Sequence, residues 1–235
     1  MNLENLSRFC NEEFHLSRRA RQLKEFRQDP QIPMATIFLL MVGSLVLRKK
    51  SFHQIDLLAR QPQMKAWLGS DRRMVASDAT LWRVLPRMDR DQLREELQQA
   101  NALLRQQGHG TIELPGGRKI RAAALDGTTV GGREASVLEI VGEHAAVLDV
   151  ERSKGKGHEL AAGEGLLRRA IKRHGTKFID IVLGDGLYMT EPMLRLCRQE
   201  LKTHLLVKTQ ELDSLLILKD AEALFQAPVM SRDVK

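Results

Sequence analysis

Cysteine and the large aromatics are scarce in this 235-residue chain, with two Cys, two Trp and one Tyr. Cys10 and Cys197 stand near opposite ends, without metal-ligand spacing around either. A disulfide framework or a zinc knuckle is therefore not expected, and a reducing compartment fits best. Long apolar runs are missing too. The longest, "MATIFLLMVGSLVL" (34–47), has 14 residues, short of the roughly 20 that span a bilayer. It also begins too far along the chain for a signal peptide and predicts a buried helix. What the chain does have is 43% hydrophobic residues, 29% charged residues and a net charge of +7. Those values describe a globular protein with ample core. The positive excess is uneven. Residues 1–110 carry 18 Lys and Arg against 12 Asp and Glu, whereas residues 111–235 carry 19 against 18. The basic first half suits either a polyanionic partner or a solvated surface.

Residues 1–107 read as helical. "SFHQ" (51–54) is a capping-box pattern opening "SFHQIDLLARQ". "SDATLWRVL" (77–85) predicts a short helix capped by Ser77 or Asp78 and stopped by Pro86. Its Thr80 and Arg83 could enter a DNA groove, but packing through Leu81, Trp82 and Leu85 is the favoured reading. "DRDQLREELQQANALLRQQG" places Leu93, Leu97, Ala100 and Leu104 on one stripe and stops at Gly108. The Gly- and Pro-rich 108–117 marks a boundary or a hairpin. This predicts a basic, DNA-binding helical region over 1–107 and a second domain over 108–235.

Beyond the boundary, strands are expected at 118–126, 136–143 and 145–153, with "GGREA" linking the first two. An amphipathic helix over 158–175 comes next, with Leu160, Leu167, Ala170 and Ile171 inward. A strand in "KFIDIVLGD", a helix in "TEPMLRLCRQEL" capped by Thr190, and a strand over 203–209 complete the order β-β-β-α-β-α-β. The fold class is α/β with a mixed sheet, and this order is that of a ribonuclease-H-like core in which the first and fourth strands are neighbours.

Two aspartates stand at the ends of those two strands: Asp126 in "AAALDGTTV" and Asp185 in "FIDIVLGDGLY". Either alone is readily a turn residue beside glycine. Together on adjacent strands they form a carboxylate pair emerging at one pole. Such a pair repels itself unless a hard cation, Mg²⁺ or Mn²⁺, sits between. Cations so held can activate a nucleophile and steady the leaving oxygen of a phosphodiester. The glycine-punctuated loop "SKGKGHEL" adds Lys154, Lys156 and His158 as candidate phosphate contacts.

The blocks "AAALDGTTVGG", "KGKGHELAAGEGLLRRAI", "FIDIVLGDGLYMTEPML" and "THLLVKTQE" together resemble the catalytic core of bacterial insertion-sequence transposases of the DDE type. "SFHQIDLLARQPQMKAWLG" and "SDATLWRVLPRM" resemble the helical region preceding that core. The resemblance covers most of residues 30–212. It implies Asp126 and Asp185 as the first two metal-binding acids, Mg²⁺ or Mn²⁺ as cofactor, and double-stranded DNA (element ends and target) as partner. It allows a homodimer, implies no membrane association, and implies a cytoplasmic, nucleoid-associated bacterial protein. The third acid of that family, a glutamate in a Tyr-x-x-Arg-x-x-x-Glu pattern, has no counterpart here. Tyr188 is the only tyrosine, and Glu191, Glu200, Glu211 and Glu222 lack the surrounding residues. The expectation is a C-terminally truncated transposase with little activity alone. The alternatives are a non-catalytic DNA-binding or dimerising remnant and a structure-specific nuclease.

Overall fold

The computed structural model describes residues 3–68, 76–130, 133–153, 155 and 157–208. The chain separates into two compact units, Met1–Leu103 and Leu104–Lys235. Among the described residues, no helix is long and apolar enough to cross a membrane.

The first unit is built from α1 (Leu3–Phe14), α2 (Leu16–Ala20), α3 (Met34–Val46), α4 (Phe52–Ala59), α5 (Gln63–Leu68) and α6 (Asp78–Val84), followed by most of α7 (Arg90–Gln106). The apolar run at 34–47 forms α3, and its Ile37 and Leu40 sit in a core with Leu58, Met64, Trp67 and Leu81. Ser51 Oγ accepts from the Gln54 amide at 3.2 Å, capping α4. Gln54 Oε1 accepts in turn from the Lys50 amide, one residue before the usual capping-box position. Ser77 caps α6 in the same way through the Thr80 amide.

Trp82 departs from its expected packing role. Leu81 and Val84, three positions apart, take the inner face of α6, and Trp82 turns outward, 68% exposed and edge-on to Phe52 at 5.4 Å. One helical step rotates a side chain about 100°, so Leu81 and Trp82 cannot both face inward. On α7 the stripe of Leu93, Leu97 and Ala100 lines a half-open recess of about 380 Å³ with Cys10, Phe14 and Phe38. The fully buried α7 side chains are Gln98 and Asn101 instead.

Trp67 lies across α3. Its indole N–H donates to Leu39 O at 2.6 Å, and a Cβ built on Gly43 would meet that nitrogen at 2.7 Å. Glycine at 43 therefore reflects a close approach. Alanine there would gain about 1 kcal/mol of helix propensity but force the buried ring aside at about 1–3 kcal/mol. Gly43→Ala is expected to lower stability by about 1 kcal/mol net in urea unfolding. A stabilised variant would show that the indole moves freely.

The second unit opens with a hairpin, β1 (Ile112–Glu113) antiparallel to β2 (Lys119–Ile120). The first expected strand is thus divided at Arg121, and β3 runs on from Ala122 to Val130. Its partner β4 (Arg133–Val141) begins inside "GGREA", and Val130 pairs with Arg133. β5 (Ala146–Arg152), α8 (Glu159–His174) and β6 (Ile181–Asp185) follow. Then come a short 3₁₀ turn (Gly186–Tyr188), α9 (Glu191–Arg195) continuing as a π-helical turn (Leu196–Leu201), and β7 (His204–Lys208). The five-stranded sheet has the order β5-β4-β3-β6-β7. β5, β4 and β3 are antiparallel, while β6 runs parallel to both β3 and β7. The class is α/β with a mixed sheet. Phe178 and Ile179, expected at the start of the fourth strand, precede β6 and are buried in the core.

Core packing is one-sided. Ala123, Leu125, Leu138, Ile140, Leu148 and Val182 form a core with Leu166, Leu167 and Ala170 of α8 and with Met193, Leu196 and Leu201. Register explains the selection, because Ala123 pairs with Ile140 and Leu125 with Leu138, all projecting to the same side. The other side holds half-buried Leu183 and exposed Val150 and Leu206.

His174, the last residue of α8, stacks on Phe178 with ring centroids 4.3 Å apart. Burial, then the charges of Arg105 and Arg173, push its pKa down from 6.5 to about 4. The unfolded chain therefore binds more protons than the folded one between those values. This contribution to stability is complete above about pH 6.5 and declines as pH falls towards 4. The melting temperature is expected to drop between pH 7 and pH 5, and less steeply in His174→Gln. Parallel pH profiles of the two proteins would assign the drop to other groups.

Candidate active site

β3 and β6 pair in parallel from Ala122 opposite Ile181 to Ala124 opposite Leu183. Two residues further along each strand lie Asp126 and Asp185. Counting by two keeps each on the face of its paired predecessor, so both carboxylates leave the pairing at the same pole, on strands about 4.8 Å apart. Asp185 is the last residue of β6. Asp126 is not a strand end. It sits mid-way along β3, opposite Val137 of β4, at the point where β3 outruns its pairing with β6. Both aspartates are exposed. Neither carboxylate therefore carries the cost of burial.

Each carboxylate is anchored through one oxygen. Asp126 Oδ1 accepts from the Gly127 amide at 2.8 Å, and Asp185 Oδ1 accepts from the Leu187 amide at 3.0 Å. The Asp185 bond caps the 3₁₀ turn that carries Tyr188 back under the strand. Among the described residues, neither carboxylate has a Lys or Arg in ion-pair contact, which leaves both charges available to an external cation.

The structure adds a residue not singled out in the sequence. Glu159, the first residue of α8, lies against the backbone beside Asp126. A Cβ placed on Gly127 would stand 3.6 Å from its carboxylate carbon. "KGKGHEL" carries Glu159 as an ordinary first-turn acid, and only the crossover from β5 to α8 brings it to this pole. Behind the three acids is Tyr188, 1% exposed. Burial pushes its phenol up to about 12, and Asp185, Glu159 and Asp126 push in the same direction. The hydroxyl faces Ser136 Oγ, yet neither atom reaches full hydrogen-bond geometry with any group. The ring is wedged between β6 and α8, where a Cβ on Gly184 would meet it at 3.0 Å and one on Gly163 at 2.9 Å.

Two carboxylates, each bonded through one oxygen among the described residues, are hard donors suited to Mg²⁺ or Mn²⁺. Among the described residues, no three His, Cys, Asp or Glu side chains gather closely enough to hold a metal ion as a group. Asp126 and Asp185 are the residues that could hold such a cation.

The other candidate contacts are dispersed. His158 is exposed just before α8, and its side chain makes no cap bond. Thr80 Oγ1 is engaged with Ser77 Oγ at 3.1 Å, within the α6 cap. Arg83 is exposed, and its Nε donates to Ala79 O at 3.1 Å. Lys154, Lys156, Glu211 and Glu222 lie outside the described residues. No protein-family model matches the chain, and no curated protein matches it.

Proposed function

We propose that the chain is a DNA strand-cleaving and strand-joining protein of the DDE transposase kind, with its phosphodiester chemistry at the Asp126–Asp185 pole. The observation that carries this reading is the parallel register that delivers both aspartates, exposed and without a described cationic partner, to one edge of the sheet. The sheet order, with β3 between β4 and β6 and a helical crossover leading to β6, supports a ribonuclease-H-like core. Asp126 and Asp185 would hold Mg²⁺ or Mn²⁺, and Glu159 is a further carboxylate near the backbone of Gly127. When bound, the cation supplies Lewis-acid neutralisation of phosphate charge and a more acidic water or hydroxyl. The chain's own residues orient that site. The Gly127 and Leu187 amides fix the carboxylate rotamers. The basic first unit supports double-stranded DNA as partner through phosphate contacts.

A second reading is a DNA-binding protein that does not cleave. It is favoured by the lack of a gathered third ligand among the described residues. The separating experiment incubates the full chain with supercoiled plasmid and with an element-end duplex, in Mg²⁺, in Mn²⁺ and in EDTA. Slow nicking that requires the cation supports the transposase reading. DNA retention with equal background in all three conditions supports the second reading.

A further inference from the structure

At the end of the sheet opposite the carboxylates, positive charge collects without an ion-pair partner among the described residues. Arg105 lies in the last turn of α7, and Arg121 immediately precedes β3. Both are half-buried, and their guanidinium carbons stand 4.6 and 5.8 Å from the centroid of the Phe178 ring. Arg105 Nη2 is 3.2 Å from His174 Nδ1, and Arg121 Nη1 donates to Phe178 O at 3.2 Å. Both acceptors are neutral near pH 7: a carbonyl, and an imidazole whose protonation is suppressed. The Nε of each arginine is shut from solvent without a hydrogen-bond partner. Asp180, two residues after Phe178, accepts through Oδ2 from the Arg121 backbone amide at 2.7 Å. Burial and the Arg121 charge together pull the Arg105 pKa down, so the two cations feel each other.

We propose that Arg105 and Arg121 form an oxyanion site for a phosphoryl group, drawn either from a nucleic-acid backbone or from free phosphate. Two guanidinium forks around one apolar ring suit a tetrahedral dianion better than a single carboxylate, because charge and donor number both match. Placement at a helix end explains Arg105, since a cation there complements the α7 dipole. It does not explain Arg121, which belongs to no helix. This site does not depend on the acidic pole, which lies further along the sheet, at the middle of β3 and the end of β6.

His174 reports on it directly. Inorganic phosphate is titrated into the full-length chain at constant ionic strength, balanced with chloride, while the His174 ring signals are followed by NMR across pH. Bound phosphate is expected to raise the His174 midpoint by about one unit, as an anion beside an imidazolium does. Arg121→Gln leaves the Arg105–His174 contact in place and is expected to weaken phosphate binding about tenfold, with Arg121→Lys recovering part of the loss. Thermal melts of each variant without phosphate confirm that it is folded. A parallel titration with a short DNA duplex identifies the source. The same displacement by duplex assigns the site to a nucleic-acid backbone, and displacement by phosphate alone assigns it to the free anion. A His174 midpoint unmoved by either ligand, or an undiminished response in folded Arg121→Gln, would overturn the proposal and leave the arginines as supports for Phe178 and the helix end.

Discussion

Asp126→Ala and Asp185→Ala are each expected to reduce cation-dependent strand cleavage by about a hundredfold or more. The size follows from the role. Charge neutralisation by a bound cation contributes several kcal/mol to a phosphoryl transition state, and each 1.36 kcal/mol is a factor of ten in rate. Stability should change little, within about 1 kcal/mol, because both side chains are exposed and each accepts only a local amide bond. Calorimetric Mn²⁺ titration supplies a readout besides activity, and affinity is expected to fall in both variants. Glu159→Gln is the informative third variant. A loss of about tenfold or more in both cleavage and Mn²⁺ affinity would make it the missing third carboxylate, whereas wild-type values would leave it a bystander near Gly127. Cleavage that survives both aspartate substitutions would remove this pole from the chemistry.

The second large effect concerns the residue beneath the acids. Tyr188→Ala is expected to lose about 3–5 kcal/mol in equilibrium unfolding, the range for deleting a large buried ring. The ring occupies the space held open by Gly163 and Gly184. Tyr188→Phe should behave in the opposite way. Its hydroxyl is buried without a well-formed bond and faces carboxylates, so removing it relieves desolvation cost. The expected result is a change between neutral and about 1 kcal/mol more stable. A clear destabilisation would show that the hydroxyl is in use, most directly through Ser136.

Some of this protein was legible in the sequence because local forces decide it. Ser51, Ser77 and Thr190 each cap the helix they precede, since a side-chain oxygen beside free amides needs nothing distant. The apolar run of α3 is buried through Ile37, Leu39 and Leu40 because apolar surface leaves water, while Leu45 and Val46 at its end stay exposed. Alternation along "AAALD" and "IVLGD" indicated that the two aspartates share a face with their strand neighbours, because the pleat repeats every two residues.

Other features depended on tertiary contacts. The extent of β3 beyond Asp126 is set by its nine-residue pairing with β4, which no local pattern encodes. Trp82 lies outward because Leu81 and Val84 filled the inner face first. Glu159 reaches the acidic pole only through the crossover from β5, and Arg105 and Arg121 come together only because the end of α7 and the start of β3 meet at Phe178. Residues far apart in the chain became neighbours when burial of Phe178, Tyr188 and their surroundings closed the core. That closure is a non-local free-energy gain, so its consequences for charge placement could be seen only in the folded protein.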